Sequence, residues 1–185
     1  MKPFLPFALA LLATACSAVV PSTAARLATM DPLTADPAAL ELVILLPPGL
    51  SIVPGSARLA FGATRGAETR SGSFALEDRP LPAGITPPTG ATPLALALTA
   101  ADADRMRALQ ADIAEWKREG GAKGSLGLGL GGCAIGAGPA PDAVGTVLIR
   151  LVDGGPFLPL IREGNLADLL GPEVLAAIEP CKGAE

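Results

Sequence analysis

A chain of 185 residues, half of them hydrophobic, is long enough for one domain with a sizeable core, and its formal charge of −4 offers no basic surface to a nucleic-acid backbone. Aromatic residues make up only 3%, with no Tyr and one Trp, so base-stacking platforms are missing and the core must be built from Leu, Val, Ile and Ala. Histidine is absent altogether, which removes Ser-His-Asp and Cys-His catalysis, imidazole metal sites and a histidine pH switch.

Residues 1–15 read as a signal peptide. Lys2 supplies the positive start, residues 4–13 an apolar stretch interrupted only by Pro6, and Ala13-Thr14-Ala15 a small-residue cleavage site. The stretch is too short to span a bilayer, which takes about 20 apolar residues. Leu11-Leu12-Ala13-Thr14-Ala15-Cys16 resembles the lipobox of bacterial lipoproteins, although Ala13 stands where that pattern prefers Leu and Leu12 comes one step early. The resemblance covers these residues alone. It implies that Cys16 is acylated, with palmitate-type chains, and becomes the first residue of a lipid-anchored, periplasm-facing envelope protein. Ser17 after the cysteine implies sorting to the outer membrane. Stable anchoring takes more than one acyl chain, at about 0.8 kcal/mol per buried CH₂, and a triacyl cysteine meets that condition. The membrane is thus one expected partner, and residues 16–37, small and proline-broken with only Arg26, Asp31 and Asp36 charged, form a tether to it.

Residues 38–185 are expected to form a single domain. With 22 Gly and 19 Pro in the chain, turns are frequent. Residues 40–46 make a near-continuous apolar run ended by Pro47-Pro48-Gly49, the pattern of a buried strand. Residues 57–64 alternate, with Leu59, Phe61 and Ala63 on one face; Arg65-Gly66-Ala67 is a turn, and residues 70–77 return with Phe74 and Leu76 inward. The proline-rich, uncharged segment 80–93 reads as a loop crossing from one sheet to another or as a polyproline-like segment. A short strand follows at 94–98.

Residues 99–119 predict a helix. Thr99 caps it, Asp102 sits at the capping-box position, and Ala103, Met106, Leu109, Ile113 and Trp116 share one stripe suited to core contact. Lys117 and Arg118 fall in the last turn, and Gly120-Gly121 stops it. Residues 125–132 read Ser-Leu-Gly-Leu-Gly-Leu-Gly-Gly, a period of two that predicts a strand with leucines toward the core. Its glycine face would admit close approach, with Trp116 a candidate cover. A phosphate-cradling loop would need a following helix or a GK[ST] ending, and neither is there. Residues 145–152 form another apolar strand, Asp153-Gly154-Gly155 a turn, and 157–161 an edge strand marked by Pro156 and Pro159. Two short helices, 165–170 and 172–178, flank Gly171. The sum is a mainly β chain: a two-sheet antiparallel sandwich of about seven short strands with one inserted helix and a helical C-terminal tail, the alternative being a partly open β-barrel.

Once Cys16 is acylated, Cys133 and Cys181 have one intramolecular pairing, and an oxidising compartment favours it. The bridge would close a loop worth about 4 kcal/mol in the chain-entropy account and pin the tail to the glycine-rich strand. A reactive or metal-binding pair would need C-x-x-C spacing or flanking His, so no metal and no cofactor is expected. G-x-S-x-G, S-x-x-K, H-E-x-x-H and P-loop motifs are absent. Glu77 and Asp78 are adjacent on a strand and point to opposite faces. Asp102 and Asp104 are a cap and a solvated charge. Asp153 and Glu163 are a pair that a fold could bring together for carboxylate hydrolysis. The expected role is a non-catalytic structural or protein-interaction module of the envelope, with the edge 157–161 open to an envelope protein partner and no nucleic acid bound. A carrier of a small apolar ligand is the alternative, and a carboxylate-only hydrolase a third.

Overall fold

The computed structural model describes residues 35–182, so the segment expected to be a signal peptide, Cys16 as the expected acylation site and most of the expected tether lie outside the described residues. Strands form at β1 (Glu41–Leu46), β2 (Leu50–Ile52), β3 (Arg58–Arg65), β4 (Glu68–Arg79), β5 (Thr92–Leu98), β6 (Lys123–Gly129), β7 (Gly132–Ala134), β8 (Val144–Arg150) and β9 (Leu158–Asn165). Helices form at α1 (Ala100–Glu119), α2 (Leu166–Leu170) and α3 (Pro172–Ala176).

The chain is mainly β and antiparallel, as its alternation predicts. Its two sheets are unequal: seven strands run in the order β6-β3-β4-β5-β1-β8-β9, while β2 and β7 pair alone. The large sheet curls, and its inner face is covered by helices, α1 over β3 and β4 and the start of α2 near β8, instead of by a second large sheet, an arrangement consistent with the partly open barrel. Leu59, Phe61 and Ala63 of β3, Phe74 and Leu76 of β4, and Leu42 and Ile44 of β1 pack there with Ala103, Met106 and Ile113 of α1. Each fully buried Leu, Ile, Phe or Met contributes about 1.5–3 kcal/mol. That is why the helical stripe and the strand alternation are so regular.

β1 is apolar on both sides because both sides are covered. Val43 and Leu45 turn away from the core and pack with Ala95 under Ile85, Leu148 and Phe157. Ile85 belongs to the proline-rich segment. That segment does not cross between sheets: it joins β4 to β5, which pair directly at Leu76 and Leu98, and folds back over the outer face. The β3–β4 hairpin turns at Gly66-Ala67 between the paired Arg65 and Glu68, with Gly66 at φ +60°, the glycine-favouring first place of a II′ turn.

Helix α1 starts as expected, with the Thr99 hydroxyl accepting from the Asp102 N–H at 3.1 Å. The Asp102 carboxylate does not close a capping box. It accepts from the Ala75 N–H on β4, just past the end of β5, while the Thr99 N–H donates to the Ala75 carbonyl at 3.5 Å. The first helical turn therefore continues the ladder that β5 leaves unfinished.

Residues 35–37, which the sequence places in the tether, are docked. Asp36 caps a 3₁₀ turn over Pro37–Ala39 and pairs with Arg107 at 2.7 Å, Pro37 is buried, and Gln110 donates to the Ala35 carbonyl at 2.9 Å. Among the described residues, no helix is long and apolar enough to cross a membrane.

Candidate functional site

The two cysteines of the domain come together. Their sulfur atoms are 2.09 Å apart and their Cα atoms 4.8 Å. Cys133 sits on β7, and the tail lies beside that strand: the Ala134 N–H donates to the Glu179 carbonyl at 2.8 Å and the Cys181 N–H to the Ala134 carbonyl at 2.9 Å. The tail is thus fixed next to β7 rather than to the glycine-rich β6.

The carboxylates do not converge. Glu77 and Asp78 are exposed neighbours on β4, and Glu77 pairs with Arg79 at 2.8 Å. Asp102 is spent on backbone and on Arg105, and Asp104 pairs with Arg107. Asp153 lies at the β8–β9 turn, whereas Glu163 is five residues beyond Leu158 on β9, roughly 16 Å along the strand. There the Glu163 N–H donates to the Thr146 hydroxyl at 3.1 Å. A carboxylate pair for glycoside hydrolysis needs to be closer than about 10 Å, so this pair is not assembled. No group of metal-ligating side chains forms among the described residues.

Two arginines stack on Trp116, Arg70 at 4.1 Å and Arg65 at 4.9 Å from the ring centroid. Arg65 is held by Glu119 and Glu68, which raise its already high pKa further through hydrogen bonding to Glu119 first. Trp116 therefore does not cover the glycine face of β6. Opposed residues on neighbouring strands share a face, and Leu128 and Leu126 lie opposite Leu59 and Phe61 of the core. Gly127 lies opposite Ala60 on the outer face, with the whole sheet between it and α1.

Sequence reasoning missed one concavity. A cleft of about 310 Å³ opens between the β7–β8 loop and the two short helices, lined by Ala134, Gly138, Pro139, Pro172, Leu175 and Ile178, among others, with no charged side chain in its lining. Exposed Ile135 and Val174 lie in the same segments. The cleft exists because the tail carries α2 and α3 back to β7, which no local pattern encodes.

Both edges of the large sheet are single strands, β9 and β6. The expected edge at β9 is there, but it is guarded: Pro159 sits in the ladder, Pro156 precedes it, and the pairing with β8 is irregular between Gly145 and Leu148. By contrast β6 has no proline and an unbroken register from Lys123 to Gly129, and every residue in it is exposed except the half-buried Leu128.

Alternation decides which β6 backbone groups are free. The Leu76 N–H donates to the Ala57 carbonyl at 3.1 Å, and Arg65 and Glu68 flank the two-residue turn, so odd-numbered β3 residues bond β4 and even-numbered ones bond β6. Lys123, Ser125, Gly127 and Gly129 consequently turn their N–H and C=O groups toward β3, and Gly124, Leu126 and Leu128 turn theirs outward. Among the described residues no backbone bond reaches those three from outside the strand.

No family model, curated protein or solved structure matches this chain.

Proposed function

We propose that this chain is a lipid-anchored protein of the bacterial envelope, acylated at Cys16 and sorted to the outer membrane, whose β domain is a non-catalytic protein-interaction module. The observation that carries the module reading is the unguarded β6 edge, whose outward N–H and C=O groups can extend the sheet into a partner chain. Scattered carboxylates and an interior filled by Phe61, Phe74, Met106 and Ile113 support a non-catalytic role. The anchor rests on the lipobox-like segment ending at Cys16, and the Cys133–Cys181 proximity suits an oxidising compartment.

Two measurements on the full chain in a bacterial host test this. Palmitate labelling is expected in the wild type and lost in Cys16→Ser; a label-free wild type overturns the anchor. In-cell crosslinking of a tagged chain is expected to return a reproducible protein partner, a second copy included. No partner across replicates overturns the module.

The apolar cleft favours a second reading, binding of a small apolar ligand. Native mass spectrometry of protein purified from membranes, with a fluorescent fatty acid as probe, checks it. A clean unliganded mass together with no uptake removes the idea.

A further inference from the structure

We propose that the partner of the β6 edge is a second copy of this chain, with β6 pairing antiparallel to the partner's β6 about a two-fold axis at Leu126. The inference rests on the module reading above and names the occupant of that same edge.

The first support is register. The outward-turned residues are Gly124, Leu126 and Leu128, a set symmetric about its middle member. An antiparallel copy with Leu126 opposite the partner's Leu126 sets Gly124 opposite the partner's Leu128 and Leu128 opposite the partner's Gly124. Every one of these is then a hydrogen-bonded pair, in which both residues exchange N–H···O bonds. No other register engages all three. A slip of one residue would oppose groups already committed to β3.

Side-chain volume and charge give the second support. On the core face Leu128 would lie against glycine, large against small, and Leu126, 39% exposed in the single chain, would be covered by its own equivalent. On the outer face Ser125 would oppose the partner's Gly127. Lys123, the single charged residue of β6, would oppose the partner's Gly129, so no like charges meet. The strand lacks the proline, bulge and inward charge that block edge pairing elsewhere. Glycine alternation, unhelpful for burying a face, here leaves the outer side of both strands unobstructed.

The test uses the full acylated chain in detergent, its oligomeric state followed by light scattering against concentration. The wild type is expected to dimerise. Leu126→Pro should weaken the dimer more than about tenfold, because the self-opposed position loses both bonds of the central pair at once while no bond to β3 is removed. Leu126→Cys should form a symmetric intermolecular disulfide on oxidation, since a hydrogen-bonded pair holds its Cα atoms about 5.5 Å apart, inside disulfide range. Ser125→Cys, whose counterpart across the axis is a glycine, should crosslink far less. A monomeric wild type at all concentrations, or equal crosslinking of the two cysteine variants, overturns the self-pairing even if Leu126→Pro fails to fold. A monomer that still captures another envelope protein in cells sinks this inference and leaves the module reading standing; a chain that is monomeric and captures nothing sinks both.

Discussion

Asp102 shows how one side chain can join two elements. It is 7% exposed, and its carboxylate supplies the acceptor that the end of β5 no longer provides to the Ala75 N–H. Asp102→Ala strands that donor in a half-buried site, so a loss of about 1–3 kcal/mol is expected in urea unfolding, with Asp102→Asn milder because its amide oxygen can still accept. Equal losses for the two variants would rule out the acceptor role. Asp36 acts at the surface. Its hydrogen bond with Arg107, and then that with the Ala38 N–H, holds its carboxyl below the ordinary value of 3.8. A carboxylate lowered on folding contributes stability above its ordinary value and surrenders it as pH falls through the lowered one. The docking of residues 35–39 on α1 should therefore hold at neutral pH and loosen only below about pH 4. Amide exchange at Leu40 as a function of pH reads this, and Asp36→Asn should abolish that acid step; an unaltered profile in the variant would assign the step elsewhere.

At the scale of elements, the local patterns are strong where burial is one-sided. Residues 57–77 give a hairpin and 100–119 a helix because each presents one apolar face to the same core. Trp116→Ala, which empties a buried site between two arginines, is expected to cost about 3–5 kcal/mol in thermal or urea unfolding. The three-residue strands β2 and β7 are illegible in sequence, being too short to carry a period. They exist through each other, Leu50 against Ala134, Ser51 against Cys133 and Ile52 against Gly132. Gly49 makes that meeting possible: at φ +83° it lies so close to the Gly138 carbonyl that a Cβ would sit 2.2 Å from the oxygen. If Cys133 and Cys181 are bonded, Cys133→Ser should cost about 2–5 kcal/mol and free the tail to limited proteolysis after α3. A tail equally resistant in the variant would show that the Glu179 and Cys181 backbone bonds to Ala134 suffice.

For the whole molecule, amphipathic α1 determines the architecture. A helix inserted between β5 and β6 lies over β3 and β4 on the inner face, and together with the short helices of the tail it closes the core without a second large sheet. That placement also leaves Leu126 at the rim, beyond the cover of the helix, and strands the glycine face of β6 on the far side.

From sequence alone came the β class, most strand positions, the span of α1 and the absence of histidine chemistry. Each follows from residue type and from periods of two or 3.6 along the chain, which are local quantities. That two cysteines 48 residues apart lie within bonding distance was legible only because no other partner within the domain competed. Strand order, the fold-back of the proline-rich segment, the cleft and the contrast between a guarded β9 and an open β6 were settled by tertiary structure. These depend on which strands become neighbours, and neighbour choice is set by covering apolar faces across the whole core, information no short window of sequence contains.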